Sequence, residues 1–329
     1  VTDLAASPAT LMAMACLGAG LLTWLARRYA LQRQLVDLPG ERRSHQVATP
    51  RGGGVAIVLM VLALTLLAAL QWPQARTALL LFATGLLLVA GIGWWDDHRP
   101  LPALQRLVIH LIAAALLAVA AFLQGAASWQ LALVFLLAAS LINIWNFMDG
   151  INGIASTQAI VAALGFAAVM PAPWSLAPVA VAAACLGFLP FNFPKARIFM
   201  GDVGSGALGY AMAALFTIAW LAVPTLSWPL ALVPFTAFLV DAGFTLLSRM
   251  LSRQRWMEPH TQHVYQRAVK AGAGHPLVTS AYALLGLLGS LLLLRSAALA
   301  PLAQTGVALG WWAFSTCLWL LARWRLRHY

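Results

Sequence analysis

The chain has 329 residues, of which 62% are hydrophobic and 9% charged, with a net charge of +11. A soluble domain carries roughly a quarter charged residues, so a large water-soluble core is excluded and the long apolar runs belong in a lipid bilayer. On a soluble protein the positive balance would favour nucleic acid; here it reads as basic loops on one membrane face, and no nucleic-acid partner is expected.

Eleven apolar runs are predicted as spans, at about 9–26, 55–72, 77–95, 107–123, 129–145, 154–171, 174–191, 206–223, 228–247, 276–294 and 300–322. The first is followed by its arginines, Arg27 and Arg28, which fits a retained span better than a cleaved signal peptide. Trp24, Trp72, Trp94, Trp95, Trp129, Trp174 and Trp228 fall near run ends, as interfacial aromatics do. Cys16, Cys185 and Cys317 sit singly inside apolar runs, with no metal or disulfide spacing. No repeat divides the chain. The expected fold is therefore an all-α, polytopic membrane bundle, one integral-membrane domain over residues 1–329.

Eighteen of the 20 Lys and Arg residues, all but Arg76 and Arg295, fall on alternate connections. That asymmetry predicts a periplasmic N terminus and a cytoplasmic C terminus, and it requires an odd number of spans. Eight of the nine acids (all but Asp3) and six of the seven histidines (all but His110) gather on the same face. The positive-inside rule does not govern acids, so their gathering predicts a site there.

In chain order, the first connection on that face reads Asp37-Leu-Pro-Gly-Glu-Arg42-Arg43-Ser44-His45, then Thr49-Pro50-Arg51-Gly52-Gly53-Gly54. It is either a basic anchor on anionic lipid or a phosphate-capturing loop with forked arginine donors and approachable backbone. The second, Trp94-Trp95-Asp96-Asp97-His98-Arg99, pairs two carboxylates that repel unless a cation compensates. Arg99 and Arg106 are counter-charges in the bland reading, and Mg²⁺ in the functional one. The third carries Asn143, Asn146, Asp149 and Asn152 at every third residue, then Gly150 and Gly153. Helical spacing would make those four one slanting polar stripe; a polar turn between helices is the alternative.

The fourth runs from Asn192 through Lys195 and Arg197 to Gly201-Asp202-Val-Gly204-Ser205-Gly206. Its GxGxxG pattern, Gly204 to Gly209, is rejected as a dinucleotide fingerprint because no strand precedes it. Glycines open the second, sixth and eighth spans, whose N-terminal amides would together form an anion-binding floor. Asp241 lies inside the ninth span, about 9–10 Å short of its end by helical rise, as a functional carboxylate or an ion-pair partner of Arg249. Last come Glu258-Pro-His260-Thr-Gln-His263 and Arg267, a weak metal pair, a set of diphosphate donors or a solvated loop.

Taken together, these motifs resemble the polyprenyl-phosphate N-acetylhexosamine-1-phosphate transferases, which include O-antigen initiators and the peptidoglycan translocase. The resemblance runs in family order from Asp37 to Arg267. It implies transfer of a sugar 1-phosphate from a UDP-N-acetylhexosamine to undecaprenyl phosphate, with release of UMP. It implies Mg²⁺ as cofactor, with Mn²⁺ as a substitute, and a site on the cytoplasmic face of the bacterial inner membrane.

By resemblance, Asp96, Asp97, Asp202 and His263 are catalytic, and Asp202, Asp97 and Asn146 face the metal. Arg43, His45, Arg51, Gly53, Asn143, Asn146, Asp149, Asn152, Asp241, His260 and Arg267 bind substrate. Gln262 stands where some members carry a third histidine, which points towards the O-antigen branch using UDP-GlcNAc or a UDP-N-acetyl-6-deoxyhexose. A homodimer is an option the sequence leaves open. The alternative from another class is a transporter or flippase of lipid-linked sugars, which would place ionisable groups near the bilayer midplane and repeat its halves.

Overall fold

Hydrocarbon offers no hydrogen-bond partner, so an apolar run that crosses it must satisfy its own backbone, and a helix does this within one segment. The computed structural model, which describes residues 8–37, 47–254 and 260–329, follows that rule almost throughout. In order come α1 (Pro8–Gln32), the strands β1 (Val36–Asp37) and β2 (Thr49–Pro50), α2 (Val55–Gln71), α3 (Arg76–His98) and α4 (Ala103–Leu123). Then follow α5 (Ser128–Met148), α6 (Ile154–Val169), α7 (Leu176–Asn192), α8 (Asp202–Ala222) and α9 (Trp228–Ala231). The chain ends with α10 (Thr236–Leu251), α11 (Val264–Lys270), α12 (His275–Ser296) and α13 (Pro301–Arg325). β1 and β2 form one short antiparallel pair, Val36 opposite Pro50.

Among the described residues, eight helical segments are long and apolar enough to span a membrane, and α2, α6 and α7 are shorter apolar helices. Together they occupy the eleven predicted runs, so the polytopic helical bundle stands. α8 is its axis: 83% of its most apolar stretch is buried, against 17% for α1 and for α13. It is packed by α3 and α5, with α6 and α2 behind. Small residues permit that closeness. Gly54, before α2, and Gly204, in the first turn of α8, touch backbone to backbone, and a Cβ on either would overlap the other.

Edges differ from expectation where polar residues continue a helix. The third span was predicted to end at 95, yet α3 runs to His98, which puts Asp96 and Asp97 in its last turn rather than in a loop. The eighth was predicted from 206, yet Asp202 opens α8, and the GxGxxG stretch lies inside that helix. Hydropathy marks where lipid ends; a helix continues until its backbone bonds run out. The polar stripe is not helical throughout: α5 ends at Met148, and Asp149 takes φ −86°, ψ 49°, so Asp149 and Asn152 belong to the turn before α6. The ninth span is broken. α9 gives way to a 3₁₀ turn at Val233–Phe235, with Pro229 and Pro234 in first-turn positions, before α10 begins.

Candidate active site

The loops before α2 and α8 are stitched together by their backbones. Phe199 N–H donates to Pro50 O at 2.8 Å, Gly53 N–H to Phe199 O at 2.9 Å, and Gly54 N–H to Met200 O at 2.8 Å. This ladder sets Arg51 beside the end of α3 and the start of α8.

Asp97, 4% exposed, caps α8 from the neighbouring helix. Its Oδ1 accepts Asp202 N–H at 3.2 Å and its Oδ2 accepts Val203 N–H at 3.1 Å. A carboxylate there satisfies two first-turn amides and meets the positive end of the helix dipole. Arg51 holds it from the other side, with Nε 3.9 Å from Oδ1 and a guanidinium N–H donated to the Asp97 carbonyl. Asp96 faces outward from this pair. Its Oδ1 accepts Leu101 N–H at 2.6 Å, and its Oδ2 lies 2.9 Å from Arg106 Nη1. That same nitrogen is 2.9 Å from Asp202 Oδ2, so one guanidinium on α4 bridges two carboxylates from α3 and α8.

The end of α5 forms the next wall. Asn146 Nδ2 donates to Ser205 Oγ at 3.2 Å. Asn143 donates to Ala139 O and shares a side-chain hydrogen bond with His110. Burial, and after it the charges of Asp202 and Asp97, push the Asp149 carboxyl well above its ordinary value. Asn152 is tied into the turn: its side-chain amide donates to Pro194 O at 3.0 Å and its backbone carbonyl accepts the Thr279 hydroxyl at 2.7 Å. Buried Asn192 ties the two turns together, accepting Gly153 N–H at 2.7 Å and donating to Ile198 O at 3.0 Å.

A second cluster adjoins the first. Asp241, 1% exposed, accepts Val264 N–H at 2.9 Å and Tyr265 N–H at 3.3 Å, which caps α11. It also accepts from Tyr282 at 2.6 Å, Trp319 Nε1 at 3.1 Å and Thr245 at 3.3 Å. His263 packs over it, Nδ1 3.9 Å from Oδ1, and the His260 ring lies 4.9 Å from the His263 ring. Burial pushes the His260 imidazole down to about 4, helped by His263 and Arg249. Burial likewise lowers His263, with the charge of Asp241 opposing it. Both rings are neutral at pH 7 by these shifts. Arg267 braces the loop to the C-terminal helix through Gln262 O and Leu326 O.

Tyr265 joins the clusters. Its hydroxyl donates to Phe147 O at 2.9 Å, and Gly150 leaves the space it occupies, since a Cβ there would overlap the phenol oxygen.

Asp96, Asp97, Asp202, Arg51, Asn146 and Asp149 thus meet at one end of the bundle, and Asp241, His260, His263 and Arg267 form the adjoining wall. Arg43 and His45 lie outside the described residues. The expected floor of free amides is corrected: Gly53, Gly54, Gly153, Asp202 and Val203 already donate within the protein. The Asp241 carboxylate is satisfied by α11, α12 and α13, while Arg249 Nη1 donates to Gln254 at 3.1 Å. Three residues of the site escaped the sequence reading. Arg106 figures there only as a counter-charge, Tyr265 lies unnamed between His263 and Arg267, and Asn192 merely opens a loop. Only the adjacency of each to a motif signalled it.

Among the described residues no group of three or more His, Cys, Asp or Glu forms a metal cage. Asp96 and Asp202, however, present oxygens to one shared cation, and Mg²⁺ commonly takes one or two carboxylates plus substrate oxygens, so the donor chemistry fits. Asp97 is less suited to ligation, because both its oxygens accept backbone N–H groups. A groove of about 270 Å³ between α1, α2 and α3 leads to this point, walled by Leu25, Val55, Leu59 and Trp94 and ending at Arg51 and Asp97.

The profile of glycosyl transferase family 4 matches residues 78–220. The chain is 30% identical to the decaprenyl-phosphate N-acetylglucosaminephosphotransferase of Mycobacterium tuberculosis, over 80% of this chain and 77% of that protein. It is 27% identical to the probable undecaprenyl-phosphate N-acetylglucosaminyl 1-phosphate transferase of Bacillus subtilis, over 84% and 82%. It is 34% identical to the phospho-N-acetylmuramoyl-pentapeptide-transferase of Moorella thermoacetica, over 74% and 85%.

Proposed function

The chain belongs to the polyprenyl-phosphate N-acetylhexosamine-1-phosphate transferases of glycosyl transferase family 4, and on that premise we propose its reaction. It transfers a sugar phosphate to a polyprenyl-phosphate lipid carrier. The donor is UDP-GlcNAc or a UDP-N-acetyl-6-deoxyhexose, the acceptor undecaprenyl phosphate, and the product initiates O-antigen or another surface polysaccharide. The site faces the cytoplasm from the inner membrane. The observation that carries the reading is the convergence of Asp96, Asp97 and Asp202 on two arginines at one end of an apolar bundle.

A phosphate oxygen of the lipid attacks the β-phosphorus of the UDP-sugar. The bond from that phosphorus to the UMP oxygen breaks, and UMP leaves with the electron pair. Roughly four negative charges have to meet, so repulsion is the main obstacle before in-line attack. Mg²⁺, when bound, would be held by Asp96 and Asp202 and would offset part of that charge. Arg51 and Arg106 add positive charge on either side. Asn146 and Asp149 orient the nucleotide side. Neutral His260 and His263 offer hydrogen bonds to phosphate or sugar. Asp97 keeps the start of α8 in register with α3. The α1–α2–α3 groove gives an amphiphile an approach from lipid to Arg51.

Purified protein with Mg²⁺, undecaprenyl phosphate and a panel of UDP-sugars should release UMP with at least one N-acetylated donor. Asp202→Asn should lower that rate at least about 100-fold while the protein still purifies as a monodisperse species. If no donor on the panel yields UMP, the reading fails.

A further inference from the structure

The site already contains a cation. Arg106 Nη1 sits 2.9 Å from Asp96 Oδ2 and 2.9 Å from Asp202 Oδ2, a single nitrogen shared by two carboxylates. Mg²⁺ binds oxygen at about 2.0–2.1 Å, so an ion serving both carboxylates would draw those oxygens inward to a centre between them. It would compete with Nη1 for the same lone pairs, and two positive charges would face each other across a few ångströms.

The guanidinium is open to solvent on one side. Its side chain is 31% exposed, and α4 holds it near its own N-terminal end. A displaced arginine keeps its forked donors, which match the oxygens of a phosphate.

We infer that Arg106 is a built-in counter-cation that exchanges with the divalent ion. In the metal-free protein it neutralises Asp96 and Asp202. When the ion binds, the guanidinium yields these carboxylates and turns to the substrate phosphates. The inference rests on the Mg²⁺ reading of the proposed function. Its mark is competition: removing the arginine's charge should tighten metal binding, whereas an arginine that merely props the site open would loosen it when removed.

The test uses the full chain in detergent, without nucleotide or lipid, and Mn²⁺ as the probe, with bound ion read by electron paramagnetic resonance. Arg106→Met should bind Mn²⁺ about tenfold more tightly than the wild type, and Arg106→Gln should shift the same way. Without metal, both variants should unfold at lower temperature than the wild type, and saturating Mn²⁺ should raise their unfolding temperature by more. Arg106→Gln keeps a hydrogen-bonding end and serves if Arg106→Met does not fold. Tighter binding in the variants supports exchange, including the case where wild-type binding is too weak to detect. Binding that is equal or weaker overturns it, and detectable binding by the wild type then leaves the metal reading intact. If neither wild type nor variants bind Mn²⁺, exchange and the metal reading fall together.

Discussion

Asp149 is held at odds with its own charge. Burial and the nearby Asp202 and Asp97 push its pKa well above the ordinary carboxylate range, so between the ordinary and the raised value the native protein holds a proton that the unfolded chain releases. Stability is therefore lost as pH rises from the ordinary carboxylate value through the raised one. Asp149→Asn removes that dependence. In ligand-free detergent at about pH 8 the variant should melt above the wild type, and the gap should close near about pH 4. Its rate of UMP release should drop at least about 100-fold. Thermal unfolding across that pH range checks the first point, and a lower melting temperature at the alkaline end would sink it. At this scale the sequence was informative about residue types. Scarce carboxylates and amides in an apolar chain are costly, so their positions announced a site. Their division of labour was not legible. Asp97 spends both oxygens on α8, and Asn152 spends its amide on Pro194, because partners distant in sequence define what a side chain has left to offer.

At the scale of elements, α11 shows how a seven-residue helix without membrane burial is kept. Asp241 caps it from inside the bundle, and Tyr265 pins it to the end of α5. Hydropathy could not reveal such a helix, which is too short and too polar, nor that Asp96 and Asp202 lie within helices. The anchoring carries a pH signature. His260, lowered to about 4 by burial, stays neutral where an unfolded chain's histidine, at about 6.5, would take a proton. His263 is lowered in the same direction. The His260 contribution to stability should be full above about pH 6.5, fall as pH drops towards about 4, and level off below that. His260→Gln should flatten part of this slope. Melting temperatures of wild type and variant, read in detergent over that interval, test the claim, and parallel curves would refute it.

For the whole molecule, the composition and the run lengths sufficed to foresee a helical bundle, because the bilayer leaves the backbone little choice. Orientation rests on where the basic residues lie. Arg76 opens α3 and Asp96 and Asp97 close it, so the acidic site and this exceptional arginine stand at opposite ends of one helix. In a background lacking Cys16, Cys185 and Cys317, Gln124→Cys, in the exposed turn after α4, should react with a membrane-impermeant maleimide on intact spheroplasts. His328→Cys, near the C terminus, should react only after lysis. The reverse pattern would invert the orientation.

The stitching of Pro50, Gly53 and Gly54 to Phe199 and Met200 also has a bearing on synthesis. The second strip emerges from the ribosome about 150 residues after the first, a wait of roughly 7 to 30 seconds at ordinary rates of translation. Through that interval the amides ahead of α2 are without their final acceptors, and Arg51 is without the neighbour that completes its surroundings. The candidate site is therefore completed only after α1 to α7 have been made. A nascent chain halted before Phe199 would hold Arg51, Asp96, Asp97 and Arg106 but lack Asp202, the carboxylate that closes the cluster.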